Sequence, residues 1–133
     1  MHLEGGCYCG KVRYAIDGEP MMSGQCHCRE CQYITGGSPN VFMAFPTAAV
    51  TYTRGTPKTF MREDLDGAAT REFCADCGTH LVTKPRMLPA AIVKVGTLDD
   101  PAVFTPGMAI QMADAQPFHA RPEGIPVFDR FPG

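Results

Sequence analysis

Seven cysteines stand in three short groups along the 133-residue chain and carry its clearest chemical signal. The groups are Cys7 with Cys9, then Cys26, Cys28 and Cys31, and finally Cys74 with Cys77. Thiolates one or two residues apart can face a single ion, and zinc is a common partner of such clusters. Because seven is an odd number, disulfides within one chain cannot pair all of the cysteines. The spacing therefore favours metal ligation.

The first and last groups form tight turns that each supply two sulfurs. Gly10 and Gly78 follow these pairs, and glycine tolerates the positive φ that such a turn tends to need. Structural zinc is tetrahedral and usually takes two ligands from each of two separate turns. We therefore predict a structural zinc ion on Cys7, Cys9, Cys74 and Cys77. Metal binding, worth ~10 kcal/mol or more, would then contribute to folding.

The middle group places three thiols within six residues. We predict that Cys26, Cys28 and Cys31 hold a second zinc ion from a single loop. Three protein ligands leave one position for water or substrate, as in catalytic zinc sites. Three thiolates make zinc a weaker Lewis acid than three histidines do, but coordination lowers the pKa of an added thiol. An open site of this kind indicates a thiol substrate.

Two other assignments of the cysteines stay open at this point. Cys28 and Cys31 could share an ion with the CADC pair at residues 74–77, which would leave three buried free thiols. The middle group could instead be a closed structural site, completed by His27, Glu30 or a distant histidine. His27 is equally compatible with an orientation away from the ion.

The other histidines and the basic residues give weaker signals. We expect His80 to be a packed or surface residue of a strand, and His2 and His119 to be solvated. The basic residues that could attract an acidic substrate to the open site are Lys11, Arg13, Arg29 and Arg71. As scattered charges they are more typical of a solvated face.

The composition is that of an ordinary folded domain, with 44% hydrophobic and 20% charged residues. The formal net charge is -2, and seven thiolates with two Zn²⁺ ions would bring it to -5. Nucleic-acid binding relies on clustered Lys and Arg, which are scattered here. We therefore expect no nucleic-acid partner.

The segments that must position the cysteines read as short strands. Residues 11–16 alternate between apolar and basic side chains, which predicts a half-buried strand. Further strands are predicted at residues 41–45, 50–53, 58–61, 70–73, 81–83, 90–95 and around Ile110. The runs between residues 41 and 61 are typical of a meander, and no segment predicts an amphipathic helix.

The length fits one domain over residues 1–133. The N-terminus has neither the basic nor the apolar part of a signal peptide, and no window approaches the roughly 18 apolar residues of a membrane helix. We therefore expect a cytoplasmic protein with no membrane partner, in which thiols stay reduced. The tail from residue 116 is predicted to pack over the sheet through Phe118, Ile125, Val127, Phe128 and Phe131.

The cysteine motifs lie in longer recognisable strings. GGCYCGKVRY, QCHCRECQ and FCADCGTHL occur in this order, followed by VGTLDDP at residues 95–101 and the ending GIPVFDRFPG. Together they resemble the family of glutathione-dependent formaldehyde-activating enzymes and their relatives, which include centromere protein V. The resemblance covers nearly the whole chain.

This resemblance implies a β-tent, a mainly β fold of several bent antiparallel sheets stapled by zinc, with little or no helix. It implies a structural zinc on the two outer cysteine pairs and a more labile zinc on the middle three cysteines. Members often carry His-Ile near Ala109 and Ile110, and Pro-Trp where this chain has Pro117 and Phe118.

Two hypotheses of function follow. The first is a zinc-dependent carbon-sulfur lyase-like enzyme that acts on an adduct of glutathione, or another thiol, with formaldehyde or a small aldehyde. Glu30 is the one candidate we name for proton transfer. The alternative is a non-catalytic zinc module for interaction or for thiol and metal handling, which fits the lack of an evident general base. A homo-oligomer is compatible with either hypothesis.

Overall fold

The computed structural model describes residues 1–132, and these form two β-sheets with one short α-helix. The strands are β1 (His2–Gly6), β2 (Arg13–Asp17), β3 (Met22–Cys26), β4 (Asn40–Pro46), β5 (Val50–Arg54), β6 (Lys58–Phe60), β7 (Thr70–Phe73), β8 (His80–Lys84), β9 (Ala90–Lys94) and β10 (Met108–Ile110). The helix α1 spans Arg29–Thr35, and short 3-10 helices span Thr47–Ala49, Val95–Thr97, Pro101–Val103 and Met112–Asp114.

The smaller sheet has the order β1-β2-β5, and the larger one has the order β10-β3-β4-β9-β8-β7-β6. Neighbouring strands in the described chain run antiparallel, except that β10 and β3 run parallel. The predicted mainly β fold is confirmed. The parallel pair is an addition that the sequence did not indicate.

The strands predicted between residues 41 and 61 are present, but the prediction that they form a meander is wrong. β4 pairs with β3 and β9, β5 pairs with β2 in the other sheet, and β6 pairs with β7. The 3-10 helix Thr47–Ala49 carries the chain from one sheet to the other. β1 and β3 escape prediction because glycines and polar residues leave them without an alternating pattern.

β4 is the centre of the core because both of its faces are buried. Met43 and Phe45 belong to the larger hydrophobic cluster, while Phe42 and Ala44 belong to a smaller one. A strand covered on both faces reads as a continuous apolar run, as VFMAF does here. The larger cluster also contains Cys7, so one end of the first cysteine turn is part of the core.

The segment after β9 fastens the two sheets to each other. Leu98 is buried in the larger cluster. Asp99 accepts two hydrogen bonds from the Arg13 guanidinium, at 2.8 and 2.6 Å, and its N–H donates to the Glu4 carbonyl at 2.9 Å. Paired Arg-carboxylate hydrogen bonds fix geometry as well as adding energy. The VGTLDDP string is thus an anchor for β1 and β2.

The tail packs along β10, as predicted for most of it. The Phe128 N–H donates to the Ala109 carbonyl at 2.9 Å, and the Ala109 N–H donates to the Pro126 carbonyl at 2.9 Å. The Phe128 ring packs against the smaller cluster. Phe118 and Phe131 are 74% and 65% exposed, so the prediction that these two rings cover the sheet is wrong.

The helix α1 contradicts the prediction that no segment forms an amphipathic helix, although the chain as a whole has little helix. Cys28 caps its start, and Gly36, with φ of 79°, ends it. A helix of seven residues is less than two turns of periodicity, which is too short a pattern to detect. No helix in residues 1–132 has the length and apolarity that a bilayer crossing requires.

We predict that Gly5→Ala destabilises the protein, because Gly5 leaves no space for a side chain. A Cβ there would overlap the Tyr14 hydroxyl and the backbone carbonyl oxygen of Thr97. We expect the free energy of unfolding in urea to fall by about 1 to 3 kcal/mol. Gly96→Ala is the control, since its Cβ would meet no heavy atom within 4 Å. Equal stability of the two variants would contradict this tight contact.

Candidate metal centres

The structure brings the sulfurs of the two outer cysteine pairs together. The Sγ atoms of Cys7, Cys9, Cys74 and Cys77 all lie within 4.8 Å of one another. Cys7 and Cys9 are separated by 3.6 Å, and Cys9 and Cys74 by 3.8 Å. Four converging sulfurs could hold a metal ion, and they match the donor set of structural zinc. The sulfurs of the middle cysteines belong to a separate group.

Similar turns position both pairs. The Gly10 N–H donates to the Cys7 carbonyl at 3.1 Å, and the Gly78 N–H donates to the Cys74 carbonyl at 2.9 Å. The two glycines have φ of 80° and 77°, and a Cβ on either would meet nothing within 4 Å. The requirement for glycine here is therefore the left-handed backbone rather than space.

Thr79 joins the two turns, and sequence reasoning missed it. Its hydroxyl accepts the Tyr8 N–H at 3.1 Å and contacts the Cys77 sulfur at 3.2 Å. Its carbonyl accepts the Cys74 N–H at 2.9 Å. Hydrogen bonds from the Thr79 hydroxyl and backbone N–H lower the pKa of Cys77 to about 5. The sequence signal for Thr79 was only its place directly after the CADCG turn.

The middle group is assembled by a strand end and a helix start. β3 ends at Cys26, Cys28 caps α1, and Cys31 lies in the first turn. The three sulfurs lie within 4.8 Å of one another, and those of Cys28 and Cys31 are 2.9 Å apart. The Cys31 N–H donates to the Cys28 sulfur at 3.3 Å. The helix α1, which the sequence did not predict, thus positions two of the three sulfurs.

The pKa shifts of the middle cysteines indicate which kind of ion this group can bind. Hydrogen bonds from the Cys26 and Cys31 thiols lower the pKa of Cys28. The same closeness, to Cys26 first and then to Cys28, raises the pKa of Cys31. Thiols this close cannot all ionise unless a cation balances their charge. The donor set therefore fits a divalent cation that thiolates bind.

No fourth side chain joins this group among the described residues. The group contains three cysteine sulfurs and no histidine, aspartate or glutamate. His27 is fully buried, and its ring lies edge-on to His119 with centroids 5.3 Å apart. Neither ring nitrogen of His27 has a hydrogen-bond partner within residues 1–132. Burial, followed by the nearby His119, lowers the pKa of His27.

Gln32 is buried and holds the helix in place, and no sequence pattern marks it for this role. Its Nε2 donates to the carbonyl oxygens of His27 at 2.9 Å and Asp114 at 3.0 Å. Its Oε1 accepts from Gln116 Nε2 at 3.1 Å. These bonds join α1 to the loop before it and to the beginning of the tail.

His119 adds hydrogen bonds within the tail and to the loop after α1, so the prediction that it is solvated is wrong. Its Nδ1 accepts the Gln116 N–H at 2.9 Å, which leaves Nε2 to donate to the Gly37 carbonyl at 2.6 Å. His2, by contrast, is exposed as predicted. His80 is on β8 and stacks on Phe73 at 5.6 Å, as expected for a packed strand residue.

Two basic side chains lie close to the middle group. Lys94 is only 8% exposed, and its Nζ donates to the Thr83 hydroxyl at 2.7 Å. Arg71 Nη1 donates to the same hydroxyl at 3.3 Å. Burial lowers the pKa of Lys94 to about 8, although the charge of the three nearby cysteines acts to raise it. Arg71 is half-buried, so assigning it to a solvated face is wrong.

Two cavities flank α1 on the side of these cations. The larger, of about 400 Å³, is lined by Arg71, His80 and Ile34 among others. The smaller, of about 250 Å³, is lined by Lys94, His80 and Ile34 among others. Ile34 lies one turn after Cys31 on the same helix face. Both cavities thus share a wall with the helix that carries Cys31, but no cysteine lines either of them.

A mainly β fold with one group of four sulfurs and one of three defines a class of protein with two candidate metal centres. The chain belongs to the glutathione-dependent formaldehyde-activating enzyme family, whose sequence profile matches residues 2–114. The predicted family is thereby confirmed.

A crystal structure of a Rhodobacter sphaeroides protein has a similar fold, with a TM-score of 0.61. The two chains are 17% identical, and the match covers 95% of this chain and 99% of the other. At that identity the likeness supports the fold alone. No curated protein sequence matches this chain significantly.

We predict that Thr79→Val weakens metal binding at the four-sulfur group about 10- to 100-fold, because partners of metal ligands orient them. Valine keeps the shape of threonine but removes the hydroxyl that joins Tyr8 to Cys77. Thr79→Ser keeps that hydroxyl and serves as the control. Competition with a chromogenic chelator measures the affinity. Equal affinity of all three proteins would show that Thr79 does not orient the sulfurs.

Proposed function

We propose that this chain is a zinc-dependent carbon-sulfur lyase-like enzyme. Its substrate would be an adduct of glutathione, or a related thiol, with formaldehyde or another small aldehyde. The observation that carries this proposal is the middle group, in which Cys26, Cys28 and Cys31 converge without a fourth ligand atom among the described residues. Membership of the formaldehyde-activating family supports the choice of substrates.

The two centres would have different roles, the four-sulfur group in stability and the middle group in chemistry. We assign one zinc ion to each group, with the four-sulfur ion clamping the first turn to the CADCG turn. Cys7 and Cys74 in this group are both part of the larger core, so this ion would stabilise the fold. When bound at the middle group, zinc supplies a centre that lowers the pKa of a thiol or polarises a carbonyl oxygen.

The reaction requires the formation of one carbon-sulfur bond and the transfer of one proton. The thiol sulfur attacks the aldehyde carbon, the carbon-sulfur bond forms, and the thiol proton passes to the carbonyl oxygen. In the reverse direction the same bond breaks and the proton returns to sulfur. Glu30 lines the larger cavity and stays our candidate for this proton transfer. The apolar part of the cavity wall would limit access of water to the reacting atoms.

We further propose that residues 1–133 act as one zinc-binding domain in the cytoplasm, with a small-molecule thiol rather than nucleic acid or membrane as partner. None of the seven cysteines is in a disulfide, and reducing conditions maintain cysteines in this state. The formal charge of -2 gives no electrostatic attraction to phosphate backbones.

We predict two zinc ions per chain in the wild type and about one in Cys28→Ser, since Cys28 belongs to the middle group alone. This variant should keep its circular dichroism spectrum, while Cys74→Ser should unfold because it removes a ligand within the core. Mass spectrometry of the metal content checks both. Retention of two ions by Cys28→Ser would contradict the assignment.

We predict that the zinc-loaded protein accelerates adduct formation from glutathione and formaldehyde, and that Cys28→Ser lowers kcat/KM about 100-fold or more. The adduct can be followed by proton NMR. Met87→Ala serves as a control, because Met87 is 85% exposed and lies outside both groups. No turnover above the uncatalysed rate with fully loaded protein would remove this substrate pair and favour a non-catalytic zinc module.

A further inference from the structure

Lys94 is a buried amine that the proposed lyase reaction does not use. The residue is 8% exposed and ends β9, whose other residues are apolar. Its Nζ donates to the Thr83 hydroxyl at 2.7 Å, and the ion pairs found within residues 1–132 do not include it. Because a buried charge without an ion-pair partner is costly, this position favours the neutral amine.

The charges around Lys94 decide how much of the amine is neutral. Arg71 approaches the same hydroxyl, to which its Nη1 donates at 3.3 Å. Burial, the largest effect, lowers the pKa of Lys94 to about 8, while the three middle cysteines act to raise it and Arg71 acts to lower it. The Glu30 carboxylate lines the cavity of Arg71 but not that of Lys94. At pH 7 about one tenth of this amine is therefore free, against less than about one thousandth for an ordinary lysine.

The cavity of about 250 Å³ lies beside this amine and is lined by Lys94 itself. Its apolar walls include Ile34 and Val41. The volume exceeds several times the roughly 30 Å³ that one water molecule occupies in the liquid, so a molecule of a few heavy atoms fits. His80 lines it as well, and burial, followed by the charges of Lys94 and Arg71, lowers the pKa of His80. Its imidazole is neutral at pH 7 and can accept a proton.

We propose that Lys94 is a nucleophile that forms an imine with a small aldehyde or ketone bound in this cavity. Lysines that are buried in apolar surroundings, or placed beside another cation, are activated in this way. The amine nitrogen attacks the carbonyl carbon and one N–H proton passes to the carbonyl oxygen, which gives a carbinolamine. Loss of water, with the second N–H proton, then forms the carbon-nitrogen double bond. His80 is the side chain of the cavity that can carry these protons.

This inference goes beyond the proposed lyase function and does not rest on it. The bond that forms joins carbon to nitrogen, whereas the lyase reaction joins carbon to sulfur. The step consumes the carbonyl compound and releases water, and it needs neither a thiol nor an oxidant or reductant. It therefore gives the chain a second, covalent site that is separate from both groups of cysteines.

Reductive trapping of the zinc-loaded protein with propanal and cyanoborohydride tests the proposal. Cyanoborohydride converts an imine into a stable propylamine, and mass spectrometry of the peptides locates it. Lys58, which is exposed on β6, is the internal control. At pH 7 we expect Lys94 to be labelled about tenfold more than Lys58, because much more of its amine is free. Equal or weaker labelling of Lys94 would overturn the proposal.

The pH dependence of the same ratio is a second readout. Lys94 should gain little free amine above about pH 8, whereas an ordinary lysine continues to lose protons up to about pH 10. The preference for Lys94 over Lys58 should therefore fall as the pH is raised across this range. A ratio that stays constant would show that access to the amine, and not its activation, determines the labelling.

Variants then assign the activation to the neighbours of Lys94. Arg71→Gln should lower the labelling at pH 7 about threefold, because the pKa of the amine rises when the adjacent cation is removed, and Arg71→Lys should keep it. His80→Gln should slow the labelling as well. Arg62→Gln is the matched control and should label like the wild type, because Arg62 lines the neighbouring cavity but is paired with Asp64 at 2.7 Å.

Circular dichroism and zinc content identify the variants that fold and load, and the wild-type comparison stands without them. If folded protein is labelled at Lys58 and not at Lys94, the buried lysine only balances the charge of the middle cysteines and the proposal is wrong. That result leaves the lyase function intact, since glutathione turnover is measured separately. Preferential labelling of Lys94 would in turn stand even if glutathione and formaldehyde gave no turnover.

Discussion

Repulsion between neighbouring thiolates is the constraint around which this fold is arranged. Seven sulfurs converge in two small volumes, and without cations most of them must stay protonated. A divalent ion reverses this balance, because it turns the repulsion into attraction at each centre. The hydrogen bonds from Val12 and Thr79 to the outer sulfurs and the N–H of Cys31 at the middle one all favour the ionised form.

The sequence was sufficient for the parts of this arrangement that local chemistry determines. The grouping of the cysteines follows from spacing, and the glycines at positions 10 and 78 follow from turn geometry. Most strands are marked by β-branched and apolar runs. β1 and β3 were missed because their Gly-Gly and Ser-Gly-Gln segments carry no such pattern. Their strand form depends on pairing with β2 and β4.

The residues that escaped prediction are those whose roles depend on distant contacts. Gln32 donates to the carbonyls of His27 and of the distant Asp114, and His119 reaches Gly37 across 82 positions of sequence. Lys94 ends a strand of apolar residues and reads as its polar end. The pairing of β8 with β9 brings it to Thr83, and the pairing of β9 with β4, which in turn pairs with β3, brings it beside the cysteines. Single-sequence patterns do not contain such pairings, and these residues are what give the middle centre its charge and rigidity.

The separation of ligands along the chain has a consequence for biosynthesis. The middle sulfurs come from six consecutive residues, whereas the outer centre unites Cys7 with Cys77. On a chain that emerges from the ribosome in order, the local trio is complete long before its outer counterpart. β10 then covers the edge of β3 only when the last part has been synthesised. The centre proposed for chemistry is thus the first to be able to capture an ion, and the centre proposed to stabilise the fold comes later.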